Sequence, residues 1–363
     1  MDKNNMADIL EEIPKAQKLL LANLIQDYDI LKISKLNQLS DEVLSSGSAV
    51  RKCRFCGNTE PAVKFRKRAH AISELCGSHH LLSDYECDSC NGKFSKYERE
   101  FSQFMLFYHS ILGVEGKKGV PKYQRNRNET TGASYENGKA SLRTQVNEAP
   151  FFSIKCKDNK VTVAGTRTYV PIDVYRALLK MALTVMPESE IQYLQDTLRF
   201  LCDKSFTLQH SKQVFLRVFT GGMNVIRPSS VQLYKRKAGC TKNLPAYLFA
   251  LSYSNFTFQM FLPGCSLDAH LKNVMSFNVP IIPTVADGVF SYNTEVLHLH
   301  SNQKVLKEPI PVTFSFEKME AKWLVPWYKR IGFYAEQMWY GMKRKVRGFV
   351  DNCKQGNTKS LNG

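Results

Sequence analysis

The chain has 363 residues, 43% of them hydrophobic and 11% aromatic, enough to bury a substantial core and too apolar for a disordered protein. Fifty Lys and Arg against 33 Asp and Glu give a net charge of +17, which predicts attraction to a polyanion, nucleic acid first and an acidic membrane surface second. No stretch reaches the ~20 apolar residues that span a bilayer, and acidic residues precede the apolar run of the N-terminal MDKNNMADILEEIPKAQ, the wrong order for a signal peptide. The expectation is a cytoplasmic protein with reduced thiols and no membrane partner.

The length accommodates two domains, or one large domain with additions. Residues 1–48 read as an N-terminal helical segment. Ile9, Ile13, Leu20 and Leu24 recur at helical spacing over 6–48, with Leu19, Leu21 and Ile25 widening the stripe. Such helices would pack on the segment that follows or on a second subunit.

Residues 49–112 carry the chemistry. Two CxxC pairs, Cys53/Cys56 and Cys87/Cys90, offer four sulfurs on two tight turns, the pattern of a tetrahedral structural zinc site. Residues 51–68 carry a basic run with Arg51, Lys52, Arg54, Lys64, Arg66, Lys67 and Arg68, opposed only by Glu60. A charge run is usually a solvated face. Interleaved with a zinc knuckle and leading into His70, this one favours phosphate contact. Asn91 directly follows the last cysteine of the pairs. After it, Phe94, Tyr97, Phe101, Phe104, Met105 and Tyr108 fall on one helical face, so the second knuckle runs into an amphipathic helix that covers the metal site and stops at Gly113 and Gly116. The other six cysteines read as ordinary buried or surface thiols.

Residues 113–145 are rich in Gly, Lys, Arg and Asn and read as a basic linker, either lying along a phosphate backbone or simply flexible. Residues 146–363 read as an α+β domain with a mostly antiparallel sheet. A hairpin is expected over 150–168 with its turn at Asp158–Asn159. A helix opens at Pro171 with Val174, Leu178, Met181 and Val185 inward, and a second turns Ile191, Leu194, Leu198 and Leu201 to one face. Strands follow at 213–219, at SVQLYKRK, in the hairpin AYLFALSYSNFTFQMFLP and at 309–317. In that hairpin Phe256, Phe258 and Met260 alternate with Thr257 and Gln259, which predicts one buried face. An aromatic helix is expected over 330–349. This half contains no phosphate loop, GxSxG or HExxH, and no chemistry can be named for it.

A strand-borne histidine facing a helix-borne polar ligand is what a one-metal nuclease needs: the histidine takes a proton from water while the ion neutralises charge on the scissile phosphate. The order CxxC, His, CxxCN, helix resembles the HNH endonucleases of ββα-metal fold, in their four-cysteine form. The resemblance rests on Ala69-His70-Ala71-Ile72-Ser73-Glu74 with Gly77, then Glu86-Cys87-Asp88-Ser89-Cys90-Asn91 with Phe94, and covers residues 50–110. It implies a DNA endonuclease in which His70 is the general base, Asn91 ligates a catalytic Mg²⁺ or Mn²⁺, and the four cysteines hold a structural zinc. It also implies a setting among bacterial defence and mobile-element nucleases, with residues 146–363 recognising, sensing or oligomerising. Three positions depart from the pattern. Ala69 stands where many members have an acidic metal ligand, Ser73 stands where they have proline, and His79, His80, Ser83 and Asp84 occupy the region of the middle asparagine.

Glu98 lies about 20° round the helix from Asn91 but roughly 10 Å along it. It reads first as an ion-pair partner of Arg66 or Arg68, with direct ligation as the alternative. His79 and His80 read as exposed loop histidines that could lend one ligand. The same site chemistry allows RNA cleavage. A non-catalytic, zinc-stabilised nucleic-acid-binding protein is the competing reading.

Overall fold

The computed structural model describes residues 15–48, 50–126, 131–144, 151–155, 159–208, 212–271 and 279–315. The helix expected over 330–349, and Ile9, Ile13, Cys156 and Cys353, lie outside the described residues. The chain is α+β and divides into two compact units. The first comprises residues 1–125, 133–141 and 166–310, the second residues 126–132, 142–165 and 311–363.

Helix α1 (Lys15–Asp27) buries Leu21 and Leu24, while Leu19, Leu20 and Ile25 are exposed. The helical reading of 6–48 ends there. Strand β1 (Tyr28–Lys35) and the short β2 (Glu42–Leu44) follow. Tertiary pairing overrides the helical pattern, because Tyr28 through Lys35 lie antiparallel along residues 230–236. Strands β3 (Ala69–His70) and β4 (Leu81–Ser83) then pair antiparallel, His70 opposite Leu82, with β2 parallel on the far side of β4.

Helix α2 (Asp88–Leu112) is the long element that follows. Its aromatic stripe does more than cover the knuckle. Phe94 packs edge-on against Phe55 of the first CxxC turn, with ring centroids 4.8 Å apart. Further along, Phe101 meets Phe258, Tyr108 meets Phe256, and the His109 imidazole pairs with the Tyr253 hydroxyl at 3.0 Å. The helix therefore joins the cysteine turns to a large sheet. Gly113 caps it with a φ of 68°, and a Cβ there would meet the Tyr135 ring at 2.5 Å, so only glycine fits.

The stretch 113–145, expected as a linker, carries strands β5 (Tyr123–Gln124), β6 (Gly132–Glu136) and β7 (Lys139–Arg143). The turn at Asn137–Gly138 takes positive φ at both residues, the geometry that a tight hairpin requires. The next hairpin matches expectation: β8 (Phe152–Lys155) pairs with β9 (Lys160–Tyr169), Phe152 opposite Val163. Helix α3 (Pro171–Val185) starts at its proline and is buried nearly all round, with Val174, Leu178, Met181 and Val185 all inside. A 3₁₀ turn leads into α4 (Gln195–Cys202), which with that turn buries Ile191, Leu194, Leu198 and Leu201.

Strands β10 (Gln213–Phe219), β11 (Ile226–Arg236), β12 (Tyr247–Ser254), β13 (Phe256–Phe261) and β14 (Tyr292–His298) join β1 in a six-stranded antiparallel sheet of order β1-β11-β12-β13-β10-β14, and β15 (Val305–Ser315) lies beside β9. The alternation in β13 does not leave a wet face, because every residue of β12 and β13 is buried. The polar side chains go inside with partners. Thr257 bonds Ser252 at 3.1 Å, and Gln259 donates to the Pro280 carbonyl at 2.7 Å and accepts from the Ile282 amide at 2.9 Å.

Candidate metal centre and active site

The Sγ atoms of Cys53, Cys56, Cys87 and Cys90 all lie within 4.8 Å of one another. Sulfurs at about 2.3 Å from a tetrahedral zinc stand about 3.8 Å apart, and Cys56 and Cys87 are separated by 3.9 Å. Local structure explains the convergence. Cys53 accepts the Gly57 amide through its carbonyl at 2.9 Å, closing the first knuckle, and Gly57 turns with a φ of 75°. Cys87 caps α2 and Cys90 sits in its first turn. The hydrogen bond between the Cys53 and Cys90 thiols lowers Cys53, with backbone amides of Cys87, Cys56 and Phe55 assisting, and raises Cys90. Donor type and spacing fit zinc.

His70 stands on β3, opposite Leu82 of β4. Its ring is half-buried, and burial holds it below the usual histidine value, with the Arg68, Lys117 and Lys180 charges acting the same way against Glu74. A neutral imidazole is a proton acceptor. Lys180 of α3 anchors the strand from behind. Its Nζ donates to the His70 carbonyl at 2.8 Å and to Glu98 Oε1 at 3.2 Å, and lies 3.2 Å from Glu86 Oε2. Lys180 is 3% exposed and Glu86 1%. Burial alone would lower the lysine, but the Glu86 and Glu98 carboxylates more than offset it and keep it charged. Burial raises the Glu86 carboxyl.

These contacts correct two readings. Glu98 pairs through Oε1 with Lys180, not with Arg66 or Arg68. Arg54 is not on the phosphate-facing surface. Its guanidinium is buried against the Tyr85 ring and donates to the Leu183, Thr184 and Met186 carbonyls at 2.8, 3.0 and 2.8 Å and to Glu188 at 2.6 Å. It caps the C-terminal end of α3. Arg51 bonds Glu60 and the Phe65 carbonyl, and Arg68 pairs with Asp41 at 2.6 Å. Lys52, Lys64, Arg66 and Lys67 are exposed, with no ion pair among the described residues. Asp88, in the first turn of α2, accepts the Arg66 and Lys67 amides at 2.9 and 2.8 Å and fixes this basic loop beside the helix.

Asn91, in the same first turn, is half-buried. Among the described residues its side-chain amide makes no hydrogen bond; its backbone N–H donates to the Cys87 carbonyl at 2.9 Å. Its oxygen is therefore available to a hard cation. The ring of His70 meets Glu74 at 3.7 Å, which also lies 3.7 Å from His79, while His80 pairs with Asp41 at 2.8 Å. Lys180 escaped the sequence reading, although a lone lysine within the apolar run of α3 is a signal for it; Glu74 was quoted within the His70 motif but given no role. Among the described residues no helix is long and apolar enough to cross a membrane.

Comparison with protein-family models, with curated proteins and with solved structures returned no match to this chain.

Proposed function

We propose that this protein is a metal-dependent endonuclease of the HNH type that hydrolyses DNA phosphodiester bonds, with zinc held by the four cysteines as scaffold. The observations that support the reading are a half-buried His70 on a strand, held through its carbonyl by the Lys180 ammonium that also faces Glu86 just before the cysteine-anchored α2, and Asn91 in the first turn of that helix, whose side chain makes no hydrogen bond among the described residues. His70 would accept the proton of the attacking water. Asn91 is the hard donor that fits Mg²⁺ or Mn²⁺, and the ion, when bound, supplies charge neutralisation at the phosphate. The exposed Lys52, Lys64, Arg66 and Lys67 would hold the backbone in place. Lys180 keeps β3 fixed through the His70 carbonyl.

Ala69 and the engagement of Glu98 by Lys180 favour a second reading, in which the module binds nucleic acid without cutting it. Incubation of the purified protein with supercoiled plasmid, single-stranded DNA and RNA in Mg²⁺ or Mn²⁺ separates the two. The nuclease reading expects nicking of DNA that a chelator abolishes. Binding without cleavage of any substrate leaves the second reading, and cleavage of RNA alone moves the substrate class.

A further inference from the structure

Asp41 lies one residue before β2, Arg68 one before β3 and His80 one before β4, and the three side chains meet. The Asp41 carboxylate gives one oxygen to each cationic neighbour. Its Oδ1 lies 2.8 Å from Nδ1 of His80, and its Oδ2 accepts from the Arg68 guanidinium at 2.6 Å. The backbone beneath is fixed, because the Glu42 amide donates to the His80 carbonyl at 2.8 Å and the Glu42 carboxylate is held by Lys32 and Gln38 at 3.1 Å each. The His80 hydrogen bond, with Arg68 assisting, holds Asp41 below the usual carboxylate range.

The outward donors remain available. A carboxylate only accepts, so Nδ1 of His80 carries a proton, and Nε2 makes no hydrogen bond among the described residues. The Arg68 contact uses one nitrogen of a guanidinium with five N–H donors. Arg68 is 56% exposed and His80 40%, so both are open to a ligand. A guanidinium beside an imidazolium suits the oxygens of a phosphate. Two further observations connect the pair to the proposed nucleic-acid surface. Arg66 and Lys67, whose amides Asp88 fixes, run directly into Arg68. His80 lies two residues before Leu82, the partner of His70 across the sheet, so both imidazoles project from one face.

We propose that Asp41 is a positioning residue that holds Arg68 and His80 as a two-pronged clamp for a backbone phosphate of nucleic acid beside His70. This rests on the nucleic-acid reading of the basic loop and not on cleavage. An exposed ion pair contributes little to stability, and a carboxylate on a phosphate-binding face repels its ligand. Asp41 offsets that repulsion by pre-orienting two donors. The clamp therefore predicts the opposite sign to simple charge arithmetic.

Binding of a short labelled DNA duplex and of a labelled RNA to the zinc-loaded full chain, followed by fluorescence anisotropy without added Mg²⁺ or Mn²⁺, reads that sign. Asp41→Ala makes the protein more positive yet should weaken binding at least about threefold. Asp84→Ala removes an exposed carboxylate that makes no ion pair among the described residues, and it should not weaken binding. Arg68→Ala should lower the slope of log affinity against log salt by about 1. With Arg68 and His80 both replaced by alanine, Asp41→Ala should no longer weaken binding. A parent that binds while Asp41→Ala binds as tightly or more tightly overturns the clamp and leaves the nucleic-acid reading standing, as does equal weakening by Asp84→Ala. A parent that binds neither probe takes both down. If Asp41→Ala loses its zinc or its fold, Arg68→Ala and His80→Ala decide: unchanged affinity in either overturns the clamp.

Discussion

Lys180 donates a 2.8 Å hydrogen bond to the carbonyl oxygen of His70, so a helix far along the chain fixes the strand that carries the proposed base. The same ammonium faces Glu86 and Glu98. Lys180→Met would leave Glu86 buried without its cation, and the loss should be about 3–5 kcal/mol, read from urea unfolding. Adding Glu86→Gln should recover part of it. An unchanged midpoint in Lys180→Met would show that the buried cation contributes nothing.

Arg54 gives the second prediction. Arg54→Ala removes donors from two α3 carbonyls and that of Met186 just beyond, and should cost about 2–4 kcal/mol. Arg54→Lys should rescue little, since an ammonium lacks the planar fork that reaches all of them. Neither should change the salt dependence of DNA binding. By contrast, alanine at Lys64, Arg66 or Lys67 should each lower the slope of log affinity against log salt by about 1. Equal slopes for all of these variants would remove the basic loop from the interface.

The third concerns zinc. The protein should hold one zinc per chain, and Cys87→Ser should lose it. Because Cys87 sits at the N-terminal boundary of α2 and Cys90 lies in its first turn, loss of metal should reduce helical circular dichroism and lower the unfolding midpoint. Full stability in a zinc-free protein would contradict the scaffold role.

Much of this was legible in the residues, and the failures are specific. The cysteine spacing located the four-sulfur cluster, and Pro171 opened its helix as read. Tyr28–Lys35 was misread because its strand exists only through pairing with residues 230–236, a non-local contact that periodicity cannot register. Arg54 was placed with its basic neighbours because sequence records charge and not direction. Its partners lie on α3 and just beyond it. β13 alternated as a half-wet strand would, but Thr257 and Gln259 are buried and satisfied by partners on β12 and on residues 280–282.

The fourth prediction is a pH profile. Burial depresses the His70 value below 6.5, so its neutral, proton-accepting form persists below that pH. The acid limb of kcat/KM should have its midpoint below pH 6.5. The stability linked to the neutral ring is fully present above 6.5 and is lost as pH falls through the folded-state value. A midpoint above 6.5 would mean that the ring's environment favours the charged form.

The most direct measurement is cleavage of supercoiled plasmid in Mg²⁺ or Mn²⁺ by the parent and by His70→Ala, each checked for zinc content and DNA affinity. The parent should nick the plasmid, and His70→Ala should bind DNA and zinc equally well while cutting at least about 100-fold more slowly. Equal cleavage by the two proteins would contradict the assignment of His70 as the base.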